Sequence, residues 1–252
     1  MEEYKKRLAN TLAETGALLF DRKLVLKDGR PTPYFVNLAM FKTGRLALEM
    51  GTFFAGMMVS KGLVEETDII IGPSYKGSAI ALSTAVALYK DHGFDLLYDY
   101  DRKEAKTHGE ASAGKTIFVN QTLFDGSRLF VVDDVATSMG TKYELLEKIE
   151  EEGRSRGMNF NVIGIGICID REQTTAVYDA EGKVIEGVKG ENATKDFSKK
   201  TKTPVHSVAG IREVVDYLYK EGVDVTIRGK RMPIDDTTLE QFLKYLEIYG
   251  VV

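Results

Sequence analysis

From Leu129 the chain reads Leu-Phe-Val-Val-Asp-Asp-Val-Ala-Thr-Ser-Met-Gly-Thr141, an order that few architectures accommodate. Residues 129–132 are apolar at every position, as a strand must be when both of its faces are covered. Asp133 and Asp134 follow directly, then small and hydroxyl-bearing residues up to Thr141. Residues 142–150 then place apolar side chains at helical spacing. A strand, an acidic pair, a loop of small residues and a helix together suit a phosphorylated sugar. Amides at a helix N-terminus hold phosphate through unsatisfied donors and the macrodipole. The carboxylates repel phosphate but accept hydrogen bonds from sugar hydroxyls, so the two ends of such a ligand are told apart. Taken in isolation, the same residues also describe a solvated Asp-Asp turn with Thr141 as a helix cap.

Composition narrows the class. A chain of 252 residues suits one large domain, or one domain with appendages. With 34 basic and 38 acidic residues the net charge is −4, which gives no global attraction to nucleic acid or to a membrane surface. A polyanionic ligand therefore requires locally concentrated positive charge. The single cysteine, Cys168, lies within the apolar residues 162–169 and reads as a small buried hydrophobe. It excludes disulfides within the chain and zinc sites built on several thiolates. The first residues are charged with no apolar stretch behind them, and no run has membrane-spanning length; a cytoplasmic protein without a signal peptide is expected.

Strand and helix patterns alternate along the chain. Tyr4, Leu8 and Leu12 predict a helix over 2–14. Asp28-Gly29 marks a turn, and Pro31 and Pro33 keep the following aromatic segment extended. Residues 43–62 read as a long helix whose Leu46, Met50, Phe53, Phe54 and Met57 form a core stripe. A short buried strand, 68–71, leads through Gly72-Pro-Ser-Tyr-Lys-Gly77 into a helix over 78–90, and the glycines permit close backbone approach while Lys76 supplies a cation. After a strand at 94–98, Arg102, Lys103, Lys106 and His108 gather the positive charge sought above, followed by the small residues 111–114. Residues 116–119 and 129–132 flank the turn signal Asp125-Gly126. A buried strand over 161–169 ends in Asp170-Arg171-Glu172, and residues 177–185 suggest a β-hairpin. The stretch 187–203 reads as a polar connection, 204–208 and 211–218 as a last strand and helix, and 236–249 as a further helix. The alternation implies a mainly parallel α/β sheet flanked by helices.

Several of these segments carry a family resemblance. The stretch Leu26-Lys-Asp-Gly-Arg-Pro-Thr-Pro-Tyr-Phe-Val-Asn37, the loop at 72–77, Arg102-Lys-Glu-Ala-Lys-Thr-His-Gly-Glu110, the run at 129–141 and Asp170-Arg-Glu172 resemble motifs of the orotate phosphoribosyltransferases. The likeness covers roughly residues 10–175 well and 204–220 faintly. Three departures stand out: Val36 where a second aromatic is usual, a loop one residue longer at Ser138-Met139, and Ala-Ser-Ala-Gly114 after Glu110.

The resemblance implies a type I phosphoribosyltransferase fold over 1–220, with a base-binding hood in 1–42; residues 221–252 go beyond the family's usual end and read as a C-terminal helical extension packed on that domain or serving as an interface. It implies transfer of the phosphoribosyl group of phosphoribosyl pyrophosphate (PRPP) to orotate, giving orotidine 5′-monophosphate and pyrophosphate in pyrimidine biosynthesis. Mg2+ would be held mainly by PRPP and water. Lys103, Lys106, His108, Asp133 and Asp134 take the catalytic positions. PRPP contacts fall on Tyr75, Lys76, Arg102, Lys103, Lys106, His108, Asp133, Asp134, Thr137, Ser138, Met139, Gly140 and Thr141. Orotate contacts fall on Lys27, Phe35, Thr137 and Arg171. A strained peptide bond in the 72–77 loop is a further implication, as is a homodimer that shares the loop 102–114 between subunits. Neither nucleic acid nor membrane is expected as a partner. Transfer to another base, such as a purine, and non-catalytic PRPP sensing are the alternatives.

Overall fold

A computed structural model of the chain describes residues 1–103, 117–135 and 139–251. Its centre is a five-stranded, wholly parallel sheet, built from β3 (Ile69–Gly72), β4 (Leu97–Tyr100), β5 (Arg128–Val135), β6 (Asn161–Asp170) and β7 (Val205–Gly210) in the order β4-β3-β5-β6-β7. The uninterrupted apolar runs follow from burial on both faces, and strand alternation divides them between two cores. Ile70, Phe130 and Val132 enter the larger core, whereas Ile69, Ile71, Leu129 and Val131 enter the smaller one.

The larger core is covered by α1 (Glu3–Glu14), α2 (Gly44–Ser60), α3 (Lys76–His92) and α6 (Ile211–Lys220), which contribute Leu8, Phe53, Ala81 and Val214. Helices α2 and α3 cross so closely that a Cβ on Gly51 would lie 2.0 Å from the Ser83 carbonyl oxygen. On the other face, α4 (Gly140–Arg156) meets α5 (Ala193–Thr201), with the Tyr143 and Phe197 rings 4.7 Å apart.

A second sheet draws on both ends of the chain. Strands β1 (Leu18–Val25) and β2 (Pro31–Val36) form a hairpin, and β8 (Asp224–Ile227) and β9 (Lys230–Pro233) form another, in the order β2-β1-β8-β9. The two hairpins join through a parallel β1–β8 pairing that sets Leu19 opposite Thr226. Helix α7 (Asp236–Tyr249) then packs on β2 through Phe242 and Tyr245.

Three sequence readings need correction. The polar stretch 187–203 contains α5, capped by the Asn192 side chain, which accepts from Lys195 N at 3.0 Å; of its residues only Phe197 is buried, which left too faint a period to read. Residues 117–119 do not pair with β5. They return beside β4, where Asp101 bridges Phe118 and Arg102 N donates to the Ile117 carbonyl at 2.9 Å. The hairpin β8–β9 turns at Arg228 and Gly229, both at positive φ, and its four-residue strands are too short to stand out. Among the described residues no helix is long and apolar enough to cross a membrane.

Candidate active site

The carboxyl ends of four parallel strands open onto one edge of the central sheet. The register aligns Gly72 with Tyr100, Ile71 with Val131, and Val135 with Ile169. Residues 73–75, 101–103, Asp134, Val135 and Arg171 therefore share that edge, the usual ligand position of open α/β sheets.

The loop between β3 and α3 is held close to its own helix. A Cβ on Gly72 would lie 1.9 Å from the Gly77 carbonyl oxygen, so only glycine allows this approach. The Ser74–Tyr75 peptide is cis. Lys76, the first residue of α3, is exposed and reaches Asp134 Oδ2 at 2.8 Å, linking this loop to the acidic pair. Tyr75 is exposed, and Lys103 Nζ stands 4.5 Å from its ring centroid.

Asp133 and Asp134 divide their duties. Asp133 is buried and pairs with buried Lys142 at 2.6 Å, while Lys142 Nζ also donates to the Val135 carbonyl at 2.9 Å. Burial raises the Asp133 carboxyl above its ordinary range, Asp134 adds to the rise, and the Lys142 charge opposes it. Asp134 is more open and turned toward Lys76. One carboxylate is thus structural and pinned, and its neighbour is accessible.

Met139 begins α4 in the left-handed conformation, φ 60°, with its side chain in the smaller core beside Leu145 and Ile149. Only its backbone is left to face a ligand. Gly140 and Thr141 are exposed in the first turn of α4. Thr137, Ser138, Lys106 and His108 lie outside the described residues.

Arg171 is 4% exposed, at the end of β6. Its Cζ lies 4.8 Å from the Tyr34 ring centroid, and its buried Nε and Nη2 have no hydrogen-bond partner among the described residues. A buried guanidinium with free donors is costly unless an anion engages it. Lys27 is exposed in the 26–30 turn, which Gly29 N closes on the Leu26 carbonyl at 2.9 Å. Phe35 is half-buried and on the other face of β2 from Tyr34 and Val36.

Sequence reasoning overlooked Tyr34 and Asp101. Tyr34 is fully buried, donates to the Arg171 carbonyl at 3.3 Å, and has its hydroxyl pushed up to about 12 by burial. Its place in the aromatic segment was visible, but not which face it took. Asp101 is buried, accepts from Ser74 N at 2.6 Å, and forms an ion pair with Lys148. It ties the 72–77 loop to the root of the cationic loop and to α4. Nothing in its spacing marks it.

A parallel five-stranded sheet flanked by helices, with the 72–77 loop and an acidic pair meeting at the ends of β3 and β5 and a second small sheet beside it, has the architecture of a type I phosphoribosyltransferase. Solved structures agree in fold: orotate phosphoribosyltransferase from Francisella tularensis has a TM-score of 0.70 at 24% identity, covering 94% of this chain and 96% of that one. No family model matches the chain. An orotate phosphoribosyltransferase from Clostridium acetobutylicum is 30% identical over 251 residues, 100% of both chains, and one from Bifidobacterium longum is 34% identical over 220, 85% of this chain and 86% of its own. The chain belongs to the orotate phosphoribosyltransferase family.

Proposed function

We propose that the protein transfers the phosphoribosyl group of PRPP to orotate, forming orotidine 5′-monophosphate and pyrophosphate in the cytoplasmic route to UMP. The observation that carries the reading is Arg171, a buried planar cation with free donors beside the sugar cradle. A guanidinium fork suits a carboxylated planar ring and has no such use for a neutral base. Lys27, Phe35 and Thr137 are the further base contacts that the family resemblance suggests, Phe35 from the opposite face of β2 to Tyr34.

The backbone from Thr137 to Thr141 cradles the 5′-phosphate at the α4 N-terminus, and Asp134 accepts from the ribose hydroxyls while Asp133, fixed by Lys142, orients it. As the C1–O bond breaks, its electron pair leaves on pyrophosphate and the sugar becomes cation-like. The base nitrogen supplies the pair for the new C1–N bond and gives up its proton. Tyr75, Lys76, Arg102, Lys103, Lys106 and His108 surround the departing pyrophosphate and offset its charge.

Among the described residues no group of three or more His, Cys, Asp or Glu side chains could hold a metal ion. A Mg2+ that keeps most of its waters and is held chiefly by PRPP needs no such cage. When bound, the ion neutralises diphosphate charge.

Pairing of two copies is supported by the outer face of α3. Leu82, Val86 and Tyr89 are exposed there at helical spacing, beside exposed Leu97. A homodimer burying this face, with the loop 102–114 shared between subunits, is the assembly that the family resemblance leads us to propose. The deciding assay follows orotate absorbance with PRPP and Mg2+, with adenine, hypoxanthine and uracil in parallel. Consumption of orotate alone is expected; turnover of another base in its place overturns the reading.

A further inference from the structure

Among the described residues none accepts a hydrogen bond from Arg171 Nε or Nη2, so the aim of this side chain depends on the backbone that carries it and on the Tyr34 ring beside it. Both are gripped by the end of the chain. Val251 N donates to the Glu172 carbonyl at 2.9 Å, and Tyr245 Oη donates to Gln173 Oε1 at 3.1 Å. The Tyr249 carbonyl accepts from Thr174 N at 2.8 Å and from Thr174 Oγ1 at 3.1 Å, and Gly250 bridges Gln173. The Tyr34 ring is boxed by the edges of Phe242 and Tyr245, at 5.3 and 5.9 Å between centroids. Glu172 sits at φ +50°, a conformation that a side-chain-bearing residue keeps only when its surroundings impose it.

We propose that residues 242–251 form a clasp that fixes residues 171–174 and the Tyr34 ring, making Tyr245 and Tyr249 positioning residues for the base. A site loosened by an ångström loses much of its binding even when its contact residue is intact. The inference rests on the reading of Arg171 as the anchor for orotate. It gives the last helix a role in choosing the base.

The test uses the full-length protein with Tyr245→Ala and Tyr245→Phe. Calorimetry with orotate and with PRPP is combined with amide hydrogen exchange. For Tyr245→Ala, orotate affinity is expected to fall about tenfold and PRPP affinity to stay within about twofold. Exchange should quicken at residues 171–175 and not along α3. Tyr245→Phe keeps the ring that boxes Tyr34 and should recover most of the orotate affinity. Equal loss for both ligands, or exchange rising throughout the chain, would mean general destabilisation and overturn the clasp; so would no change in either. If the unaltered protein binds PRPP and not orotate, the reading of the base site fails. The exchange at 171–175 then decides the clasp by itself.

Discussion

Arg171 and Asp133 show two ways of keeping a charge inside a protein. Asp133 has its partner built in, whereas Arg171 Nε and Nη2 have none among the described residues and are where we place orotate. Arg171→Ala should weaken orotate binding by about 10- to 100-fold, the worth of one or two charge-assisted hydrogen bonds, with PRPP binding little changed. Calorimetry showing equal losses would refute the assignment, and Arg171→Lys should not restore affinity, since an ammonium lacks the planar fork. Lys142→Met should cost about 3–5 kcal/mol, because it strands the Asp133 carboxylate in the interior. The pH dependence has a definite sign. A carboxyl raised in the folded state binds its proton more tightly there than in the unfolded chain. Stability therefore falls as pH rises from the ordinary value of 3.8 through the raised native one. Removing the Lys142 charge raises Asp133 further, so the stability deficit of Lys142→Met should be larger at pH 7 than at pH 4, measured by denaturant unfolding. Arg171, Lys76 and the acidic pair were legible in the sequence because each lies in a short local motif. Tyr34 and Tyr245 were not, since their pairing depends on two distant segments meeting.

The elements around the site are placed by close approach. Gly51 lets α2 lie against α3, and with α3 goes Lys76 at its first turn. Gly51→Ala should cost about 1–3 kcal/mol or more through overpacking. For a chain of this size that lowers the melting temperature by at least several degrees in a calorimetric scan. At the root of the cationic loop, Lys103→Ala should reduce turnover while the unfolding transition stays put; unchanged steady-state rates would argue against its contact with pyrophosphate. Long periodic elements were plain from sequence, with α7 predicted to the residue as 236–249. The α5 helix was hidden by its single buried side chain, and the β8–β9 hairpin by its brevity.

At the scale of the molecule, α3 turns one face to the core and another, with Leu82, Val86 and Tyr89, to solvent. If this face pairs two copies, Val86→Glu should shift sedimentation from dimer to monomer and cut turnover with it, and a variant that stays dimeric would place the interface elsewhere. The parallel sheet was legible because βα alternation leaves few topologies, but the second sheet was not, because its strands come from opposite ends of the sequence. That pairing of β1 with β8 sets an order of assembly. On the ribosome, the strands of the central sheet emerge well before residue 224, while the β1–β2 hairpin waits with one edge open for β8. The second sheet is then the last part of the fold to close, and a chain halted near residue 220 has its central sheet and the β1–β2 hairpin but not β8, β9 or the helix that packs on Tyr34.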